Sequence, residues 1–150
     1  MVTVVVSGGY DPVHVGHIEN IRQAKLLGDR LIIILTRDDQ LIAKKGYIFM
    51  PYEERKSILE SIRWVDEVVE NIDSGIECWE SIKHYKPNIL AKGGDRTEES
   101  MPETEKEACK KIGCQIIYGI GGRKVQSSSS LLKKYCDFLA LKPGYETNNK

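Results

Sequence analysis

The hydrophobic positions fall into short continuous runs separated by longer stretches of mixed character. Residues 2–6 (VTVVV) and 31–35 (LIIIL) are unbroken and largely β-branched. Such runs mark strands buried on both faces, as in a parallel sheet. Residues 65–70 (VDEVVE), 88–92 (NILAK) and 115–119 (QIIYG) predict three further strands. Between the runs the period changes. Ile18, Ile21, Ala24 and Leu27 recur at helical spacing over residues 17–27, and Gly28 supplies a stop. Pro51 opens a helix through YEERKSILESI, striped by Ile58, Leu59 and Ile62. A helix near 75–85 carries Ile76, Trp79, Ile82 and Tyr85, with Trp79 and Tyr85 assigned to core packing, and Pro87 ends it. Ser100 to Glu103 reads as a capping box for a helix reaching Gly113. A last helix begins in the serine run 127–130 and ends before Pro143-Gly144.

Strict alternation of strand and helix predicts an α/β fold: a Rossmann-like, doubly wound, parallel five-stranded sheet with helices on both faces. No repeat or linker divides the chain, so residues 1–142 are expected to form one domain and 143–150 a polar tail. In such sheets ligands bind beyond the carboxyl ends of the strands, where the winding reverses. The loops expected there are GGYDPVHVGH, TRDDQLIAKKGYIFM, KGGDRTEES and GIGGRKVQSSSS, and they concentrate the glycines and basic residues.

Charge and composition sharpen this picture. With 22 basic and 22 acidic residues among 150, the chain has no global field to draw it to nucleic acid or an anionic membrane. Anion binding must therefore be local. Four cysteines without a CxxC pair are read as reduced thiols of a cytoplasmic protein. The N-terminus lacks the charge and length of a signal peptide, and no run approaches the roughly 20 apolar residues of a membrane span.

The first loop holds the sharpest chemistry. Gly8 and Gly9 permit close backbone approach, and His14 and His17 lie one helical turn apart at a helix start. A helix N-terminus attracts anions, and imidazoles there add donors for phosphate. Neither a P-loop, a GxGxxG fingerprint nor an HExxH zinc motif is present. The two other readings of the pair are ordinary capping residues or a metal site without a third ligand.

GGYDPVHVGH resembles the G-x-F-D-x-x-H-x-G-H signature of the cytidylyltransferase-like nucleotidyltransferases, with Tyr10 in place of phenylalanine. YEERKSILESIRWVDEVV resembles a segment of the glycerol-3-phosphate and choline-phosphate cytidylyltransferases. AKGGDRT resembles the K-G-G-D of heptose-1-phosphate adenylyltransferases, and VQSSSSLLKK the S-T-T at the last helix start of both groups. The likeness covers about residues 1–135.

The resemblance implies transfer of a nucleotidyl group, CMP from CTP, to a small phosphorylated acceptor such as a sugar, polyol or amino-alcohol phosphate, with release of pyrophosphate. It implies Mg²⁺ on the triphosphate and a homodimer. His14, His17, Lys44 and Arg63 would be catalytic. Gly8, Gly9, Tyr10, Asp11, Gly16, Gly93, Gly94, Asp95, Arg123, Ser127, Ser128 and Ser129 would bind nucleotide. Lys44, Lys45 and Arg55 would hold the acceptor, the two lysines on a mobile, lid-like loop marked by Gly46. Arg55 and Arg63 would share one helix face, Asp66 would be structural, and RTEESMPE would shape the acceptor pocket. Arg63 within RWVDEV favours CTP. The KGGD loop, and the absence of R-T-E-G-I-S-T, favour the alternative of ATP with a heptose-like phosphate. A second alternative is a nucleotide-binding module without catalysis.

Overall fold

The computed structural model describes residues 1–142, so the expected tail at 143–150 lies outside the described residues. Five strands form one parallel sheet: β1 (Thr3–Gly8), β2 (Arg30–Leu35), β3 (Glu67–Glu70), β4 (Ile89–Gly93) and β5 (Gln115–Ile120). Their order is β3-β2-β1-β4-β5, with every neighbouring pair parallel. Six helices connect or follow them: α1 (Val15–Lys25), α2 (Asp38–Lys45), α3 (Tyr52–Glu60), α4 (Trp79–Tyr85), α5 (Glu103–Ile112) and α6 (Ser128–Leu141).

The period-2 geometry of the buried runs divides the core into two layers. Val4, Val6, Leu31, Ile33 and Leu35 face one side, where they pack with Ile21 and Ala24 of α1 and Leu59 of α3. Val5, Ile32 and Ile34 face the other, against Ile82 of α4 and Ala108 and Cys109 of α5. Trp79 and Tyr85 pack against this second layer as expected.

The chain winds from β1 outward to β3, then crosses back to place β4 on the other side of β1. The reversal therefore falls between β1 and β4, where parallel α/β sheets open a crevice at their carboxyl edge.

Three local expectations are corrected. Residues 38–45 form helix α2, so Lys44 and Lys45 lie in its last turn and not on a mobile loop; Gly46 is its left-handed cap at φ 78°. Helix α3 stops at Glu60, so Arg63 stands in the turn beyond it and shares no helix with Arg55. Ser100 does not cap α5. It exchanges hydrogen bonds with Thr97, and Pro102 takes the cap position.

Candidate active site

A cavity of about 500 Å³ opens at the β1–β4 reversal. Its walls come from the ends of β1 and β4, the start of α1, the last turn of α2, the 120–126 loop and the start of α6.

Helix α1 builds the first wall. His14 is its N-cap, with extended backbone, and His14 Nδ1 accepts the Gly16 N–H at 3.1 Å. His17, three residues on, returns the favour: its Nδ1 accepts the His14 N–H at 3.2 Å. The pair forms a capping box written in histidine. Both Nδ1 atoms are acceptors, so each neutral ring carries its proton on Nε2. The rings stack with centroids 3.7 Å apart, and Tyr10 leans on His17 at 4.7 Å. His17 is driven to a pKa of about 3, first by burial, then by His14, Lys45 and Lys124. His14 is lowered by burial and by Lys124. The loop thus carries two neutral Nε2–H donors beside two lysines, Lys45 and Lys124.

Close packing fixes the backbone around them. Tyr10 adopts φ 51° and is buried. A Cβ on Gly9 would stand 2.8 Å from Leu41, and one on Gly94 only 1.8 Å from the Gly122 carbonyl oxygen. The KGGD turn and the 120–126 loop therefore touch backbone to backbone. Asn20 on α1 secures that loop by donating to the Ile120 carbonyl at 3.0 Å.

The serine run divides its labour. Ser127 Oγ accepts the Ser130 N–H at 3.0 Å as the N-cap of α6. Ser128 Oγ donates to the Pro12 carbonyl at 2.8 Å, tying α6 to the histidine loop. The exposed Ser129 hydroxyl has no bond among the described residues and lines the cavity.

Most of the residues singled out in the sequence meet here: Gly8, Gly9, Tyr10, Asp11, His14, Gly16, His17, Lys44, Lys45, Gly93, Gly94, Asp95, Arg123 and Ser127–129 all line the cavity. Asp11 lines it with its side chain in a structural role, because its carboxylate accepts the amides of Phe49 and Met50 at 2.7 and 2.6 Å.

Two arginines do not meet there. Arg55 is fully buried outside the cavity wall. Its guanidinium donates to the carbonyls of Met50 (2.9 Å), Gly9 and Thr36 (both 2.8 Å), and to Asp38 Oδ1 at 2.7 Å. It braces the loops after β1 and β2 from behind and offers nothing to an acceptor. Arg63 precedes β3, at the amino edge of the sheet, and lies exposed over the Trp64 ring at 4.5 Å. It is not part of this site. Asp66 is structural as expected, accepting the Leu31 N–H and Lys25 Nζ.

The structure also adds residues that sequence reasoning left unassigned. Ser7, Lys92 and Glu105 line the cavity floor. Lys92 Nζ pairs with Glu105 Oε2 at 2.8 Å. Lys92 opens the KGGD motif, and that position was the available signal. Glu105 carried none, being one of several acidic residues in a charged helix.

No group of three His, Cys, Asp or Glu side chains among the described residues could hold a metal by itself. Of the cavity carboxylates, Asp11 and Glu105 are occupied as above, Glu19 by Arg22 and Gln23, and Glu77 by Thr104. Asp95 meets only Lys124, at 3.9 Å.

A Rossmann-like sheet whose switch point carries an HxGH capping box, a glycine turn and a serine helix start defines a nucleotidyltransferase. Residues 5–135 match the model of the cytidylyltransferase-like family, and the chain belongs to that family. It is 39% identical to an FAD synthase of Pyrococcus abyssi over 116 residues, 77% of this chain and 76% of that protein. It is 34% identical to a glycerol-3-phosphate cytidylyltransferase of Staphylococcus aureus over 128 residues, 84% of this chain and 93% of that one. In fold it is similar to a lipopolysaccharide core biosynthesis protein from Thermoplasma volcanium, with a TM-score of 0.67 at 24% identity, over 83% of this chain and 99% of that one. No described helix is long and apolar enough to cross a membrane.

Proposed function

We propose that the chain transfers a nucleotidyl group from a nucleoside triphosphate to a small phosphorylated acceptor and releases pyrophosphate. The observation that carries this reading is the pair of neutral Nε2–H donors, held by the α1 capping box within the cavity that also gathers Lys44, Lys45, Arg123, Lys124 and the start of α6.

In the proposed reaction an oxygen of the acceptor phosphate attacks the α-phosphorus. The bond from that phosphorus to the oxygen bridging to the β-phosphorus breaks, and pyrophosphate leaves with the electron pair. No covalent bond to the protein forms. Positioning and stabilisation of charge supply the catalysis. His14 and His17 donate to oxygens that gain charge in the transition state. Ser129, with the free amides at the start of α6, takes the terminal phosphates. Lys44 and Lys45 hold the acceptor phosphate against its electrostatic repulsion by the triphosphate. Mg²⁺ is the proposed cofactor. It keeps most of its ligands from water and substrate phosphates, so one protein carboxylate suffices, and Asp95 fits that part. The metal supplies neutralisation of phosphate charge.

ATP is the donor we favour. The sequence support for CTP rested on Arg63, which stands at the far edge of the sheet. The KGGD turn lines the cavity, and the FAD synthase relative makes a product containing adenine. CTP is the second reading, favoured by the glycerol-3-phosphate cytidylyltransferase, of which the chain spans 93%. A homodimer is also proposed: no residue of α6 is buried, and Tyr135, Leu139 and Leu141 are exposed along it. Sedimentation is expected to give twice the 17.0 kDa chain mass.

The direct test is pyrophosphate release with ATP, CTP, GTP and UTP, each against a panel of acceptor phosphates. Release that depends on both substrates is expected. Triphosphate binding with no release in any combination would leave the non-catalytic module as the correct reading.

A further inference from the structure

The cavity floor contains a charged cluster that the reaction above does not use. Lys92, on β4, is nearly buried at 12% side-chain exposure, and Glu105, in the first turn of α5, at 5%. Glu105 is further fixed by Cys78, whose N–H and Sγ lie 3.1 and 3.3 Å from Oε1. Burial raises the Glu105 pKa, but Lys92 and the Cys78 N–H outweigh it and hold the carboxyl below its ordinary value. Ser7, on β1, completes the group: its Oγ accepts from Lys92 Nζ at 3.5 Å and from Cys78 Sγ at 3.7 Å.

Donor accounting leaves at least two hydrogens without partners. An ammonium has three N–H groups; Ser7 accepts one, and Glu105 Oε2 meets the charge as an ion pair without a directed hydrogen bond. Ser7 Oγ acts as acceptor in both its bonds, so its own O–H is uncommitted. Both residues line the cavity. This floor differs in kind from the Lys44–Lys45 end. Lys92 is neutralised at 2.8 Å by Glu105, so it brings no net charge for a phosphate. Lys44 and Lys45 have no ion-pair partner among the described residues and suit that task. A neutral, donor-rich floor instead suits hydroxyl oxygens. The surroundings agree: polar Thr36, Asn71 and Glu77 line the same cavity, while Tyr10, the aromatic residue in the wall, is already packed on His17. A flat aromatic acceptor would find no ring to stack on there.

Resting on the nucleotidyl-transfer reading for the location of the acceptor, we propose that Lys92 and Ser7, with Lys92 positioned by Glu105, form the subsite that reads the hydroxyl groups of a sugar or polyol phosphate.

The test measures binding without catalysis. Thermal shift and calorimetry on the full chain compare four probes: glycerol 3-phosphate, a hexose 1-phosphate, inorganic phosphate and FMN. At least one hydroxylated ester is expected to bind tenfold or more tightly than inorganic phosphate, and FMN no better than inorganic phosphate. Ser7→Ala and the charge-balanced double variant Lys92→Met/Glu105→Gln are expected to erase that advantage while leaving the affinity for inorganic phosphate unchanged. The double variant avoids stranding a buried carboxylate, and Ser7→Ala removes only a hydroxyl, so both are expected to fold. No advantage of either ester over inorganic phosphate, an advantage that survives both variants, or tighter binding of FMN would each overturn the subsite. Failure of pyrophosphate release would overturn nucleotidyl transfer and leave these binding results standing.

Discussion

At the scale of single residues, His14 and His17 combine a structural role with a proposed catalytic one on different atoms. Nδ1 caps the helix, and Nε2–H is the donor proposed for substrate, so substitution can separate the two. Asparagine at position 14 keeps a short cap acceptor, and glutamine at 17 keeps the capping box. His14→Asn and His17→Gln are therefore expected to unfold within a few degrees of the parent, yet each to lower kcat/KM about 10²–10³-fold, the usual cost of one lost donor to a transition-state oxyanion. Near-parental activity in both would contradict the assigned roles. Acid stability offers an independent check on His17. The unfolded chain takes up this proton near pH 6.5, whereas the folded ring resists it to about pH 3. The stabilisation is complete above pH 6.5 and is lost progressively as the pH falls toward 3. Relative to His17→Gln, the parent should lose about 1 kcal/mol between pH 6.5 and 5.5 in urea titrations. Parallel curves for the two proteins would refute the burial argument.

Among the elements, legibility tracked the length and regularity of the pattern. All five strands and five of the helices were evident from apolar runs and their periods, because each buries a recurring face. Helix α2 escaped because eight residues with Leu41 as the anchoring apolar side chain give no period to detect. Its signals were electrostatic: Asp38 and Asp39 at the start, Lys44 and Lys45 at the end, Gly46 beyond. Arg63 was misplaced because the apolar stripe continues past the point where α3 ends. Arg55 was misread for a different reason. An arginine in a charged helix carries no mark of burial, and the carbonyls it serves belong to distant loops. Removing it strands those acceptors, so Arg55→Met should destabilise the fold by about 2–4 kcal/mol, measured by denaturant unfolding. A loss below about 0.5 kcal/mol would show that water satisfies the carbonyls instead. The KGGD turn makes a sharper demand. Gly94→Ala brings a methyl against the Gly122 carbonyl, with backbone on both sides and no flexible side chain to yield. The variant is expected to lower the melting temperature and to lose most of its triphosphate-induced stabilisation, since the 120–126 loop must shift. An unchanged thermal shift with ATP would show that this contact does not shape the nucleotide wall.

For the whole molecule, the formal charge is zero, so the site must create its own field. Lys44 and Lys45 at the end of α2 and Arg123 and Lys124 beyond β5 converge on the cavity from separate elements. Between them stand imidazoles that burial keeps neutral. The sheet topology is what brings these groups together, because the β1–β4 reversal leaves open the space they line. It follows that affinity should scale with phosphate charge and respond to salt, even though the protein as a whole is neutral. A ligand present at 100 times its Kd stabilises the native state by about 2.7 kcal/mol. At low salt with Mg²⁺, ATP is expected to raise the melting temperature more than ADP, ADP more than AMP, and adenosine scarcely at all. Exposed charges are screened over roughly 10 Å at 0.1 M salt and 3 Å at 1 M, so moving from low salt to about 0.5 M should shrink the ATP shift strongly and leave any adenosine shift unchanged. Equal shifts from ATP and adenosine, insensitive to salt, would place recognition in the base and remove the phosphate cradle as the organising feature of the cavity.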